Sequence, residues 1–298
     1  MQNLLTTLFQ YEDEIYAVLF LITVVLAVCV EERAPCRPLH HSVKTRWFSN
    51  LSLGILNNFL AHWFIPSAAI FTVLFTGKEQ WGLMNQVHLP AWLEITISLL
   101  FLDFVRYCAH RLYHRVPVLW RLHRLHHTDL DIDYSTQFRF HPLETFSSAA
   151  ITLPFIALFS PAVEAILLHK LVFVVTSFFV HANTRLPANL ERVAGLIFTT
   201  PDIHKVHHST TLSESNANFG ALFSFWDRLL GTFVAHPQAG VLKMEIGVKE
   251  MQDPKHLRLG WMLLNPFLTA DNEDQPPSIN SPATTKVTTL VESDAADG

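Results

Sequence analysis

Histidine is the residue type in this sequence that could do chemistry, because eight of its seventeen copies fall in three short clusters. The first cluster has His-x3-His spacing, and the other two share His-x2-His-His spacing. A helix advances about 100° per residue, so residues three and four apart lie on one face. The clusters are His110 and His114; His123, His126 and His127; and His204, His207 and His208. Each cluster therefore predicts a helix face covered by imidazole.

Imidazole is a common metal ligand that suits zinc, copper, iron and nickel. One zinc ion needs three or four ligands. The eight clustered histidines, with His181 as a ninth, are too many for one ion and fit two adjacent metal ions. His141, in Arg-Phe-His-Pro-Leu-Glu, is open between ligation and a structural or supporting role beside the ligands. Isolated histidines such as His169 and His236 are predicted to be structural.

The residues between the histidines narrow the reaction class. Arg, Leu and Tyr separate His110 from His114, so the glutamate base of a His-Glu-x2-His peptidase is missing. None of the three clusters contains a carboxylate, unlike the Glu-x2-His signature of soluble di-iron bundles. A nitrogen-rich site at a membrane surface suits iron that activates dioxygen and attacks a lipid C–H bond. Two alternatives stay open: a zinc-dependent membrane hydrolase, and a metal-binding membrane protein without catalysis.

The composition indicates that membrane helices position these clusters. Half of the residues are apolar, 16% are charged, and the mean hydropathy is +0.25, which is typical of a polytopic membrane protein. A formal net charge of −5 gives no reason to expect a nucleic-acid partner. Predicted membrane segments are Ile15–Val30, Leu51–Phe75 with a kink at Pro66, Trp92–Cys108, and a hairpin over 145–181 that breaks at Ser160-Pro161. The hairpin would return His181 to the side of the membrane that holds His110.

The Lys and Arg content of the loops predicts which side of the membrane each loop lies on. Four Lys/Arg lie in the loop 31–48 and one in the loop 76–91, which places 31–48 and the histidine clusters in the cytosol. Residues 1–14 form a short N-terminal segment, 15–265 a single membrane domain, and 270–298 a polar tail that is predicted to be disordered. Asp103 precedes His110 by seven residues, so it lies near the same helix face and is predicted either to hydrogen-bond a ligand histidine or to pair with an arginine. Asp227 and Arg228 are predicted to form an ion pair.

The sequence resembles the fatty acid hydroxylase/sterol desaturase superfamily of membrane di-iron oxygenases, in its bacterial form, over about residues 101–233. The motifs that carry the resemblance are Asp103-Phe104, His110-Arg-Leu-x-His114, Leu119-Trp120-Arg121, His123-x2-His126-His127, Arg139-x-His141-Pro142-Leu143-Glu144, His181-x-Asn183, Thr200-Pro201-x2-His204-x2-His207-His208, Asn218-Phe219-Gly220 and Trp226-Asp227-Arg228-Leu229-x-Gly231-Thr232. Some members have a further histidine four residues before the one matching His181, where this chain has Ser177. We therefore expect a thinner ligand shell at the second metal, or compensation by His141.

The resemblance implies an all-α integral membrane protein. About four transmembrane helices, including the hairpin, would lie under a cytosolic helical cap that holds two iron ions on the nine histidines, which zinc could replace after overexpression. It implies a multi-pass enzyme, in a bacterial inner membrane, that uses dioxygen to hydroxylate or desaturate a lipid. Electrons would arrive from a separate donor of the cytochrome b5 or ferredoxin type.

Overall fold

The computed structural model describes residues 10–64 and 68–268, and every regular element of secondary structure in these residues is a helix. The predicted tail 270–298, the predicted kink at Pro66 and residues 1–9 lie outside the described residues. The long helices are α1 (Glu12–Arg33), α2 (Val43–Phe64), α3 (Ala68–Lys78), α4 (Ala91–Arg115), α5 (Pro117–His127), α6 (Pro142–Phe159) and α7 (Val163–His181). The shorter helices are α8 (Ala188–Ala194), α9 (Pro201–His207), α10 (Leu212–Ser215), α11 (Phe225–Leu229) and α12 (Leu259–Leu264). Two isolated β-bridges, and no strands, occur among the described residues.

Three helices of the described chain, α1, α6 and α7, are long and apolar enough to cross a membrane. A fourth crossing is possible if 68–86 and α4, which meet at a bend of 94°, count as one broken span. The predicted all-helical membrane fold with about four spans is confirmed. The hairpin is confirmed as well: α6 ends at Phe159, Ser160 adopts a left-handed conformation with φ 55°, and α7 starts two residues after Pro161.

The predicted span 51–75 falls on two described helices, one before and one after residues 65–67. Helix α2 starts earlier, at Val43, and ends at Phe64, and the chain resumes as α3 at Ala68. Helix α2 is absent from the span candidates in the described chain. It carries several polar residues, and some of them bond to other parts of the protein. The Asn57 amide, for example, donates to the carbonyl oxygen of Phe140 at 2.7 Å.

A buried charge network fastens α2 to the segment that follows α5. The Arg46 guanidinium donates to Asp129 at 2.7 Å and to Asp133 at 2.6 Å, and all three side chains are fully buried. Arg139, also buried, donates to the Asn50 amide oxygen and to backbone oxygens of Leu125, Thr128 and His256. These bonds fix the end of α5, which carries the second histidine cluster.

Helix ends set the position of each histidine cluster. Val116 is extended, and Pro117 occupies the first turn of α5, so α4 ends just after His114 and the chain turns into α5. At α9, the Thr200 hydroxyl accepts from the Ile203 amide and Pro201 occupies the first turn. His110 and His114 therefore lie in the last turns of α4, and the second and third clusters lie at the ends of α5 and α9.

Candidate metal centre

The fold brings all nine predicted ligands together in two neighbouring groups, and within each group the candidate ligand nitrogens lie within 4.8 Å of one another. The first group contains five histidines: His110, His114, His123, His127 and His207. The second contains four: His126, His181, His204 and His208. Neither group contains a carboxylate. Their role as ligands stays a prediction, whereas their convergence is a property of the fold.

The two groups do not follow the sequence clusters. His123 and His127 are four apart and lie in the first group, while His126 lies in the second. In the same way His204 and His208 lie in the second group, while His207 lies in the first. Because adjacent helical residues point about 100° apart, each His-x2-His-His cluster supplies both groups. This division explains the doubled histidine at the end of each cluster.

Backbone carbonyls on the outer side of the rings orient three of the histidines. Nδ1 of His110 donates to the Phe219 carbonyl at 2.9 Å, and Nδ1 of His207 to the Ala217 carbonyl at 2.7 Å. Nδ1 of His181 donates to the Ser177 carbonyl at 2.7 Å. Since each of these rings carries its proton on Nδ1, the Nε2 lone pair is free to face the centre of its group.

Short distances between ring nitrogens show that each group could hold a metal ion. Nε2 of His181 lies 3.1 Å from Nε2 of His126 and 2.9 Å from Nε2 of His204, and Nε2 of His207 lies 2.9 Å from Nε2 of His110. Within the two groups, the buried ring nitrogens without a hydrogen-bond partner are His114 Nε2, His123 Nε2, His126 Nδ1, both nitrogens of His127, His204 Nδ1 and His208 Nδ1. Unpartnered buried nitrogens are costly. A metal ion in each group would take up converging lone pairs, so these residues fit two metal ions.

Burial keeps imidazoles of the two histidine groups neutral. Desolvation, and then the neighbouring imidazoles, hold the pKa of His126, His127, His204, His207 and His208 well below its usual range. A neutral imidazole is the form that binds a metal. The site is therefore ready to bind cations at neutral pH without first losing protons.

Glu144 is a site residue whose role the sequence did not reveal, although it ends the motif that begins at Arg139. Its Oε1 accepts from Nδ1 of His123 at 2.6 Å, and both side chains are buried. The carboxylate therefore does for His123 what backbone carbonyls do for three other ligands. The signal available in the sequence was an acid in the first turn of α6, two residues after Pro142.

Asp103 was predicted to bond either to a ligand histidine or to an arginine, and it bonds to other partners. Its Oδ1 accepts from the Leu222 amide at 3.2 Å, and its Oδ2 accepts from the Trp226 indole at 2.9 Å. Neither predicted bond forms, because the loop after Phe219 supplies the donors to both carboxylate oxygens. Asp103 holds this loop, and the loop's Phe219 carbonyl in turn accepts from His110.

The predicted Asp227–Arg228 ion pair is also wrong. Asp227 accepts from the amides of Phe219 and Gly220, each at 2.8 Å, and Arg228 donates to the Gly195 carbonyl. A Cβ at Gly220 would overlap the Phe223 carbonyl oxygen, which explains the glycine there. Asp227 thus positions the loop whose carbonyls orient His110 and His207.

His141 lies outside both histidine groups. Its Nδ1 accepts from the Leu143 amide at 3.1 Å, as the N-cap of α6, and its Nε2 donates to the Leu263 carbonyl at 3.2 Å. With both nitrogens bonded to backbone, His141 cannot compensate for the missing histidine at Ser177. Of the roles left open, the structural role is the one that fits. The second group has four histidines against five in the first.

Comparisons with known proteins point to one family. Residues 95–232 match the family model described as fatty acid hydroxylase. The chain is 33% identical over 150 residues to the ornithine lipid hydroxylase OlsE of Rhizobium tropici, covering 50% of this chain and 44% of the relative. It is 28% identical over 187 residues to the alkylglycerol monooxygenase of Homo sapiens, covering 63% of this chain and 40% of the relative. It is 26% identical over 178 residues to methylsterol monooxygenase 2-2 of Arabidopsis thaliana, covering 57% of this chain and 64% of the relative.

These matches cover less than two thirds of the length of each of these relatives. No solved structure is significantly similar to the chain. The matched residues 95–232 contain all three histidine clusters and His181. The relatives are hydroxylases and monooxygenases of a single superfamily. Over residues 95–232 the chain is similar to the fatty acid hydroxylase family, which confirms the resemblance that its histidine motifs indicated.

Proposed function

We propose that this protein is a membrane oxidoreductase that uses iron, dioxygen and external electrons to hydroxylate or desaturate a C–H bond of a lipid. The observation that carries the proposal is the grouping of nine histidines, five and four, without a carboxylate among them, at the end of the candidate span α7 and in the last turns of α4. The names of the relatives support a lipid substrate, since they refer to an ornithine lipid, an alkylglycerol and a methylsterol. The class proposed for this chain is a membrane lipid.

The proposed ligands are the five histidines of the first group and the four of the second. When bound, two iron ions would supply the activation of dioxygen with electrons from a separate donor of the cytochrome b5 or ferredoxin type. In hydroxylation one oxygen atom enters the lipid and the other leaves as water, which consumes two electrons and two protons. In desaturation the lipid loses two hydrogens and both oxygen atoms leave as water, which also consumes two electrons from the donor and two protons.

The chain's own residues prepare this site in three ways. Backbone carbonyls of Ser177, Ala217 and Phe219 hold the rings of His181, His207 and His110 with Nε2 pointing inward. Glu144 does the same for His123. The site is buried, so water is excluded and fixed dipoles surround the reacting groups.

We place the site on the cytosolic side of a bacterial inner membrane. The excess of Lys and Arg in the loop 31–48 supports this orientation. We call the segment 182–268, which follows α7, the cap. Arg37 of the loop 31–48 donates to the carbonyls of Val241 and Met244 in the cap, so the loop and the cap lie on the same side of the membrane. The membrane domain is proposed to extend over 15–265, with the catalytic motifs in 101–233.

Lipid analysis tests the proposal. Membrane lipids of the wild-type host, a deletion strain and strains carrying His126→Ala or His236→Ala would be compared by mass spectrometry. We expect a lipid that has gained one oxygen or lost two hydrogens in the wild type and in the His236→Ala control, since His236 is exposed and outside both groups. The product should be absent from the deletion and His126→Ala strains. Identical lipids in all four strains, grown with air and iron, would refute the proposal.

Metal analysis of purified protein separates this function from zinc hydrolysis. We expect iron in protein from an iron-replete host, and a lower metal content in both His114→Ala and His126→Ala, one from each group. Activity that needs neither dioxygen nor a reductant would contradict an oxygenase. The His236→Ala protein is again the matched control.

A further inference from the structure

The cap exposes an unusual amount of apolar side chain on one side. Val193 is 65% exposed and Leu229 is 71% exposed. We call the group to which they belong the apolar cap surface; its members are Leu190, Val193, Leu196, Ile197, Phe198, Leu229 and Leu230. Proteins rarely leave contiguous apolar surface in water unless it contacts a membrane or a partner.

Hydrogen bonds join the two segments that carry this surface. The Ser224 amide donates to the Ile197 carbonyl at 2.9 Å, and the Ser224 hydroxyl donates to the Gly195 carbonyl at 2.8 Å. The Arg228 guanidinium donates to the same Gly195 carbonyl. The rings of Phe198 and Phe223 stack with centroids 5.6 Å apart. Residues 188–198 and 223–230 therefore form one continuous surface.

The contacts with α4 fix the depth of this surface. Leu222 and Trp226 donate to Asp103, seven residues before His110, and the Trp226 ring lies 4.9 Å from the ring of Phe104. Seven residues of helix correspond to about 10 Å. The segment that follows Phe219 thus lies against the side of α4, about 10 Å closer to the apolar part of that helix than the metal site is.

A cavity of about 210 Å³ extends this contact farther along α4. It is lined by Leu222 and Phe223 from the cap segment and by Leu99, Leu168, His169 and Val172 from α4 and α7. Leu99 precedes His110 by eleven residues, about 16 Å along the helix. Because α7 is itself a candidate span, Phe223 reaches the level at which the helices contact lipid.

Charge on the same surface favours one kind of bilayer. Arg192 and Arg228 are exposed within it. The two acidic residues beside these arginines are less exposed. Asp227 is buried, and Glu191 is half-buried and accepts a hydrogen bond from the Thr200 hydroxyl. An apolar face edged by arginines is typical of a surface that lies in the interface of an anionic membrane.

We propose that the apolar cap surface is inserted in the membrane that α1, α6 and α7 span, at the boundary between headgroups and acyl chains, with Arg192 and Arg228 on anionic headgroups. The cap is then partly embedded in the bilayer on the side of α4 and α7. This inference concerns where the cap lies and does not depend on the reaction.

Depth-dependent quenching tests the insertion. The full chain carrying Leu196→Cys would be labelled with an environment-sensitive fluorophore and placed in vesicles of phosphatidylglycerol and phosphatidylethanolamine. The background would replace the three native cysteines, Cys29, Cys36 and Cys108, with serine. The matched control is Leu242→Cys, because Leu242 is 57% exposed on the cap but adjoins the exposed Lys243 and lies outside the apolar cap surface.

We expect the label at 196 to emit at shorter wavelength than the label at 242, and to be quenched most by nitroxides roughly 5–10 Å below the headgroups. Replacing phosphatidylglycerol with phosphatidylcholine should reduce the quenching, and Arg192→Gln with Arg228→Gln should remove that dependence on lipid charge. Equal quenching of both labels by an aqueous quencher would overturn the proposal. A label at 196 that lipid nitroxides do not reach, but that crosslinks two copies of the chain, would overturn it in favour of a dimer interface.

Discussion

Replacing Glu144 with glutamine would test whether its carboxylate orients the His123 ring in the first histidine group. The Glu144 carboxylate accepts from Nδ1 of His123 at 2.6 Å in a buried setting, where a charge-assisted bond is about twice as strong as a neutral one. Glutamine keeps an oxygen acceptor and removes the charge. The Glu144 backbone carbonyl, which accepts from the Tyr113 hydroxyl at 3.2 Å, is unchanged by the substitution. The fold of the first turn of α6 should therefore persist.

The expected loss is one of metal affinity. Removing a partner that orients a ligand histidine costs about 10- to 100-fold in affinity, or about 1.4–2.8 kcal/mol. Competition with a chelator of known affinity, followed through metal content, measures this change. We expect it in the first group, which contains His123, while the second group keeps its wild-type affinity.

The control is Glu164→Gln, which removes an acid from the first turn of α7, in the same hairpin but in neither histidine group. Its affinities should equal those of the wild type. A Glu144→Gln protein with wild-type affinity at both groups would refute an orienting role for the carboxylate. Equal losses at both groups would show instead that the substitution disturbs the whole cap.

Three further expectations concern stability. Arg46→Ala leaves Asp129 and Asp133 buried without their cation, so the free energy of unfolding in detergent should fall by about 3–5 kcal/mol; an unchanged unfolding temperature would contradict the buried network. Burial raises the pKa of Asp227 to about 6 from 3.8, so the folded state holds this proton more tightly and stability should fall by roughly 3 kcal/mol as the pH rises from about 4 to about 6. Asp227→Asn should flatten that part of the unfolding profile, and a profile with the wild-type slope would be inconsistent with this assignment. Stripping metal with a chelator should lower the unfolding temperature of the wild type and of His236→Ala alike, because converging buried nitrogens lose their partner; equal unfolding temperatures with and without chelator would argue against bound metal.

Local pattern was enough to predict much of the fold. Apolar runs of membrane length predicted α1 and the hairpin of α6 and α7, since each long apolar helix must be shielded from water whatever else surrounds it. Hydropathy did not predict that α2 begins at Val43. It counts residues without their partners, and it could not show that polar residues in the first turns of this helix, such as Arg46, bond to a distant segment.

The histidines themselves were found by type and spacing alone, because three and four residues of helix bring side chains to one face. Their division into groups of five and four was decided by tertiary structure. It depends on how α4, α5, α7 and α9 meet, and spacing within one helix carries no information about that angle. Thus the sequence did not show that His126 and His127 belong to different groups.

The partners of the ligands were the least predictable part. Glu144, Asp103 and Asp227 act across separations of 21 to more than 100 residues or through loop backbone, and a carboxylate's spacing from a histidine does not reveal which donor it will meet. The sequence by itself determined which residues could do the chemistry that we propose: eight clustered imidazoles and His181. The tertiary structure alone decided which imidazoles lie in the same group, what holds each ring, and which apolar side chains are exposed together, because those properties arise from contacts between segments distant in the chain.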